Sequence, residues 1–109
     1  MSWEFLSYVP AVPEVFNFFV RAGAKRVVVA CTLVGLGGVT VRLIGRSRTF
    51  GESDMDVRES TTVDVTGPPK YEYMKRASLT IEPHPTVETW TLQLTFPHPM
   101  PHRVSIEVL

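Results

Sequence analysis

Apolar and polar residues alternate strictly in the last third of the chain, from about Lys75 to Leu109. A period of two residues is typical of a β-strand with one buried and one solvated face. Proline-rich segments separate the alternating stretches and discourage strand pairing past their ends. The pattern therefore predicts three antiparallel strands that pair as a meander. Their apolar positions are Ala77, Leu79 and Ile81, then Trp90, Leu92, Leu94 and Phe96, then Val104, Ile106 and Val108.

A different spacing near the N-terminus predicts a helix. Pro13 suits the first turn of a helix, and Gly23 stands where a C-terminal cap belongs. From Val12 to Val20, apolar residues recur every three or four positions, which is the spacing of one helix face. We therefore expect an amphipathic helix from Pro13 to about Ala22. The residues on its apolar face are Val12, Val15, Phe16, Phe19 and Val20.

The apolar segment from Val27 to Ile44 has two interpretations. Its length is close to the roughly 20 residues that a membrane-spanning helix needs, and cations flank it on both sides. However, it contains Arg42, three glycines in four positions and many valines, which favour strands over a span. The preferred interpretation is a β-hairpin with strands 26–34 and 39–48, joined by a glycine turn. A single membrane span remains the alternative.

The length and composition indicate one folded domain. The chain has 109 residues, of which 44% are hydrophobic and 20% charged, enough for a single core. We expect one domain over 1–109, with an N-terminal segment 1–24 that contains the helix and an antiparallel β region 25–109. The predicted fold class is α+β, mainly β, with the N-terminal helix packed on an antiparallel sheet or open barrel of five to six strands.

Two features of the sequence predict where the protein works. The single cysteine, Cys31, excludes an internal disulfide, which fits a reducing compartment. The first residues lack the basic region and apolar run of a secretion signal. We therefore expect an intracellular, cytoplasmic protein. This location also allows the protein to associate peripherally with a membrane.

Charge is segregated along the chain although the net charge is zero. Residues 15–51 contain six cations and no acidic residue, whereas residues 52–64 contain five acidic residues and one arginine. On a strand, Arg42, Arg46 and Arg48 would share one face. These arginines either pair with the acidic segment or bind an anionic surface. In the second case, phospholipid head groups and nucleic-acid phosphates fit equally well. The candidate binding residues are Arg21, Lys25, Arg26, Arg42, Arg46 and Arg48.

A short motif adds a candidate protein partner. Residues 68–71 read Pro68-Pro69-Lys70-Tyr71, a P-P-x-Y sequence of the kind that WW domains bind, since polyproline II is preformed. The alternative is a proline-rich turn with Tyr71 packed on the sheet. Together with the charge pattern, the motif resembles the late-budding signal of matrix proteins from several enveloped viruses. That resemblance implies binding to anionic inner membrane faces through a basic patch and recruitment of host ubiquitin ligases.

The sequence contains no recognisable catalytic or metal-binding pattern. His98 and His102 are four residues apart, but the prolines at 97, 99 and 101 exclude the helix that would place both on one face. No nucleophile elbow or metal-binding helix motif is present. We predict a non-enzymatic structural or adaptor protein, without cofactor or metal, that forms a homo-oligomer. A nucleic-acid-binding protein and a single-span membrane protein with a β domain are the alternatives.

Overall fold

The computed structural model describes residues 2–7, 13–34, 38–97 and 101–109, and these residues form two β-sheets. Within this part of the chain there are nine strands and one short 3₁₀ turn, Glu52–Asp54. The strands are β1 Ser2–Ser7, β2 Glu14–Val20, β3 Arg26–Val34, β4 Thr40–Ile44, β5 Thr49–Phe50, β6 Asp56–Asp64, β7 Lys70–Thr80, β8 Glu88–Thr95 and β9 His102–Val108.

The two sheets are both antiparallel, and their strand orders define the topology. The five-stranded sheet has the order β1-β9-β3-β7-β6, and the four-stranded sheet has the order β2-β8-β4-β5. Without the edge strand β6, each sheet has four strands. The chain changes sheet after β1, β2, β3, β5, β7 and β8. This is the arrangement of a jelly roll, in which two Greek keys form a double sheet.

The core lies between the two sheets and follows from alternation along each strand. Leu33 on β3, Ile106 on β9 and Leu92 on β8 are fully buried, and their sequence neighbours face outward. The apolar residues that alternate in the C-terminal third, as the sequence predicted, thus supply much of the core. Burial of apolar area on the two facing sheets is the main contribution to stability.

The predicted N-terminal helix is wrong, and so is the α+β class. Residues Glu14–Val20 form β2, which pairs with β8. Phe18 and Val20 point into the core, while Val15 and Phe19 lie on the outer face and are 53% and 56% exposed. Because this strand carries apolar residues on both faces, its period of two is hidden and its spacing imitates a helix. The described chain is instead an all-β sandwich with more strands than the five to six expected.

The predicted hairpin and meander are also wrong in their pairing. The segment from Val27 to Ile44 does contain strands, β3 and β4, but they belong to different sheets, and residues 35–37 of the predicted turn lie outside the described residues. Likewise β7 and β9 flank β3, while β8 lies in the other sheet. Alternation along a strand reports which face is buried, and it carries no information on which strand lies beside it. The described residues include no helix whose length and apolarity would suit a bilayer crossing.

Candidate functional site

Three chain segments meet at one end of the sandwich: the turn after β2, the turn between β4 and β5, and the segment after β7. The backbone N–H of Gly23 donates to the carbonyl of His84 at 2.9 Å, and that of Ile81 donates to the carbonyl of Lys25 at 2.9 Å. The N–H of Gly45 closes the second turn on the carbonyl of Arg48 at 2.8 Å. Gly23 has a φ of +78°, a left-handed conformation that favours glycine. The first two bonds fix the turn after β2 and the start of β3 against the segment after β7. The turn between β4 and β5 lies beside that segment, since Ser47, Ile81 and His84 line one cavity.

This end, which we call the cationic end, carries five of the six predicted basic residues. All five side chains are exposed, and they come from the turn after β2, the first residue of β3 and the turn after β4. They are Arg21, Lys25, Arg26, Arg46 and Arg48. The fold thus brings together charges that are as far apart in the sequence as Arg21 and Arg48.

Arg42 lies apart from the cationic end, on the outer face of the four-stranded sheet opposite Gln93. Strand β4 ends at Ile44, so Arg46 and Arg48 belong to the turn that follows and do not share a strand face with Arg42. The predicted arginine stripe along one strand is therefore not formed. The charges are collected by loops and not by the alternation of a single strand.

Acidic residues neutralise only part of the cationic end. Arg48 pairs with Asp54 at 3.4 Å, and its guanidinium lies 4.8 Å from the centre of the Phe50 ring. Glu82 is exposed at the same end, and the buried Glu88 accepts a hydrogen bond from Nε1 of Trp90 at 3.1 Å. Among the described ion pairs, Arg48 is the one member of the cationic end with a carboxylate partner. Within the described part of the chain, no carboxylate forms an ion pair with the other four cations.

Exposed apolar side chains border the same end. Phe19 lies opposite Thr89, and the last residue pair of the β2–β8 ladder is Val20 with Glu88. Val87, which comes immediately before this pair, is 59% exposed, and Phe19 is 56% exposed. Because side chains alternate along a strand, Phe19 lies on the outer side of the sandwich, close to the turn that carries Arg21. Cations and exposed apolar groups therefore occur together here.

A cavity of about 490 Å³ opens at the cationic end, and Trp90 forms part of its wall. The indole stacks on Phe50 with ring centres 5.5 Å apart and packs edge-on against Phe18 at 6.5 Å. A Cβ on Gly45 would approach both the indole and the carbonyl of Arg48 to 3.2 Å, so a side chain here requires one of them to shift slightly. Trp90 is 3% exposed and serves as a packed core residue. The remaining lining residues are Ser47, Arg48, Phe50, Thr80, Ile81, Glu82 and His84.

The P-P-x-Y motif lies at the opposite end of the molecule, in the turn of the β6–β7 hairpin. Pro68 and Pro69 are exposed in the turn, whereas Tyr71 is 37% exposed and pairs with Val63 in the ladder. Asp64 accepts hydrogen bonds from the side chain and backbone of Thr66, and these bonds lower the pKa of its carboxyl group. Binding to a WW domain stays a prediction.

A buried lysine, which the sequence analysis missed, links the two sheets. Lys75 on β7 is 6% exposed, and its Nζ donates to the carbonyl of Val39 at 2.6 Å. The same Nζ lies 2.7 Å from Oε1 of Glu52 and 3.7 Å from Glu59, while Oε2 of Glu52 accepts from the N–H of Val41 at 2.7 Å. Lys75 occupies an inward position in the alternation of β7, and a charge at such a position is the signal that could have revealed it.

A second buried pair joins β9 to β2 at the end opposite the cationic end. His102 is 2% exposed, its Nε2 lies 2.6 Å from Oε2 of Glu14, and its ring centre is 4.5 Å from that of Phe96. His84 belongs to the other end, so these two histidines are not neighbours, and His98 lies outside the described residues. Within the described residues, no group of three or more side chains is placed to hold a metal ion.

Cys31 is a further buried group, and its chemistry is readily tested. Burial raises the pKa of its thiol to about 12, although the nearby Lys75 acts in the opposite direction. We expect the native protein to resist a thiol-specific reagent at about pH 8 and to react fully once unfolded. Because the unfolded thiol ionises above about pH 8.5 while the native thiol keeps its proton, the stability contributed by this group falls as the pH rises towards 12. Equal modification rates for native and unfolded protein would contradict the buried position.

Comparison with known proteins gives a relation in fold alone. No family model matches the chain, and none of the curated proteins matches it in sequence. Among solved structures, the CspB protease of Clostridium perfringens contains a similar region, with a TM-score of 0.50 and 16% sequence identity. The match covers 98% of this chain but only 24% of the protease chain. At this identity the likeness concerns the fold and transfers no activity.

Proposed function

We propose that this protein is a non-enzymatic structural protein that attaches to an anionic membrane surface through its cationic end. The observation that supports the proposal is the convergence of cations from three segments beside the exposed Phe19 and Val87. Basic residues that flank exposed apolar side chains are a recurrent feature of proteins that bind the membrane interface. A matrix-like role agrees with this arrangement, and the P-P-x-Y turn lies at the other end, away from the membrane.

The expected strength of attachment follows from the charges. Each lysine or arginine near an anionic bilayer contributes about 1 kcal/mol at physiological salt, and four cations at this end have no carboxylate partner among the described residues. Binding of a single copy should therefore be weak, reversible and sensitive to salt. Self-association would strengthen it, because several weak sites then act on one surface.

Co-sedimentation with vesicles tests the proposal. We expect binding to vesicles that contain about 30% phosphatidylserine, and much less binding to pure phosphatidylcholine or at high salt. Removing the unpaired cations of the cationic end together should reduce the affinity about 100-fold or more. The variant carries Arg21→Ala, Lys25→Ala, Arg26→Ala and Arg46→Ala.

The matched control is Arg42→Ala, which removes an exposed arginine from the outer face of the four-stranded sheet and should leave binding nearly unchanged. Phe19→Ser should weaken vesicle binding further, because it removes an exposed apolar side chain beside the cations. Absence of binding to anionic vesicles at low salt would overturn the proposal. So would tighter binding to single-stranded RNA than to vesicles, with loss in the same four-residue variant, since that result identifies the alternative ligand class.

A further inference from the structure

Strand β6 is a long sheet edge. It pairs with β7 over nine residues without a bulge, and no described strand pairs with its other side. Natural sheets usually protect such an edge by short length, proline, charged side chains or a bulge, because unpaired backbone groups can pair with another chain. The sequence of β6, Asp56–Asp64, contains neither proline nor lysine, and its charges are of both signs, so a partner strand with the complementary order of charges can still pair with it. The edge is therefore open to pairing with another strand.

One charge on the outer face of β6, that of Arg58, favours an incoming carboxylate. Arg58 lies directly opposite Arg76 on β7, and like charges in this position repel each other. The nearest carboxylate to Arg58 is that of Asp56, at 3.8 Å, and both side chains are largely exposed. No described carboxylate pairs with Arg76 within 4.0 Å. A further carboxylate beside Arg58 would reduce this repulsion.

The sequence of β6 supplies that carboxylate when the strand meets a second copy of itself. We propose that β6 pairs antiparallel with β6 of a second copy, with Thr61 on the two-fold axis, so that two five-stranded sheets become one continuous sheet. This register places Arg58 of each copy opposite Asp64 of the other, twice in the dimer. Such a contact is isologous, as in most homodimers.

Neighbouring registers are less favourable. Residues that lie opposite each other must have their side chains on the same face of the sheet. The nearest allowed registers therefore place the two-fold axis one residue earlier, at Ser60, or one residue later, at Thr62. A two-fold axis at Ser60 would place Asp56 opposite Asp64 and repel. An axis at Thr62 would place Arg58 opposite Thr66, without a charge pair. The sequence therefore selects Thr61 as the centre.

The pairing uses groups that are otherwise unoccupied in the described chain. Both hydrogen bonds from Thr66 go to Oδ1 of Asp64, so Oδ2 is available to an arginine. Val65, which is 71% exposed, would lie opposite Val57 of the second copy. Residues 58–64 of each copy would form the new ladder. A contact between two edge strands is smaller than a standard interface of roughly 1,600 Å², so we infer weak, concentration-dependent dimerisation.

Two charge-reversal variants test the dimer, because each one repels itself but complements the other. Sedimentation velocity of the full chain should show a monomer–dimer equilibrium that shifts towards dimer with concentration. Arg58→Asp alone and Asp64→Arg alone should both be monomeric at concentrations where the parent chain dimerises. An equimolar mixture of the two variants should form a heterodimer, because both cross-strand charge pairs are restored.

Cysteine cross-linking locates the axis independently. Thr61→Cys should form a disulfide between copies under mild oxidation by diamide, since directly opposite Cα atoms are about 5 Å apart. Thr62→Cys is the matched control: its Cα atoms in the two copies would be about 8 Å apart, beyond disulfide reach. Cys31 is buried and should not compete. A monomeric parent at the highest concentration, no heterodimer in the mixture, or equal cross-linking of the two cysteine variants would overturn the proposal.

Discussion

Replacement of Trp90 by alanine is expected to lower the free energy of unfolding by about 4 kcal/mol, because it opens a large cavity in the core. The indole is 3% exposed and contacts the rings of Phe18 and Phe50. Its loss also leaves the buried Glu88 without the Nε1 hydrogen bond. Since domains of this size are stable by about 5–15 kcal/mol, a loss of this size removes a large share of the free energy of unfolding.

Urea unfolding followed by circular dichroism measures this effect without relying on the fluorescence of the replaced tryptophan. Trp90→Phe keeps most of the volume and should cost clearly less than Trp90→Ala. Thr89→Ala, on the exposed face of the same strand, should change the stability by less than about 0.5 kcal/mol. A loss below about 1 kcal/mol for Trp90→Ala would show that the surrounding rings collapse into the space, contrary to the close packing described above.

Lys75→Ala is expected to cost about 3 kcal/mol, because it leaves partly buried partners without their cation. Glu52, whose side chain is 27% exposed, and the carbonyl of Val39 would both lose a short contact to Nζ. The estimate is taken from the lower end of the range for buried pairs, since solvent reaches the carboxylate of Glu52. Thermal and urea unfolding of the variant provide the measurement.

The matched control for Lys75 is Glu59→Gln. Glu59 is 53% exposed and lies 3.7 Å from Nζ, so its charge should contribute less than about 1 kcal/mol. Glu52→Gln should be intermediate, because the amide oxygen can still accept from Nζ or from the N–H of Val41. If Lys75→Ala and Glu59→Gln had equal effects, the lysine would not be the link between the sheets that its contacts indicate.

The sequence predicted strands best where one face is polar and the other apolar. The strands β7, β8 and β9 satisfy this condition, and the apolar residues that the alternation assigned to the core are buried, with Ile81 partly so. Strand β2 does not, since Val15 and Phe19 are apolar on the outer face, and the helix prediction followed from that. Most pairing partners could not be derived from the sequence, because five of the seven neighbouring strand pairs of the described chain are distant in sequence, and β4–β5 and β6–β7 are the two consecutive ones.

The candidate site could be predicted in part, because the cationic residues are concentrated in one stretch of the sequence. Their convergence depends on backbone hydrogen bonds such as that from Gly23 to His84, which no local pattern encodes. The separation of Arg42 from Arg46 has a similar origin, since β4 ends between them at Ile44. Buried ionisable groups such as Lys75 and His102 could be suspected only from a charge or imidazole at an inward position.

The position of β9 between β1 and β3 sets the order of events during folding. This strand follows all the others in sequence, yet it fills the gap between two strands from the first third of the chain. On the ribosome, β1 and β3 must therefore wait for β9 before the five-stranded sheet can close. The β6–β7 hairpin, in contrast, can form locally. Chains dominated by such distant pairings fold in milliseconds to seconds, so the open sheet is exposed to aggregation for longer than in a protein built from local contacts.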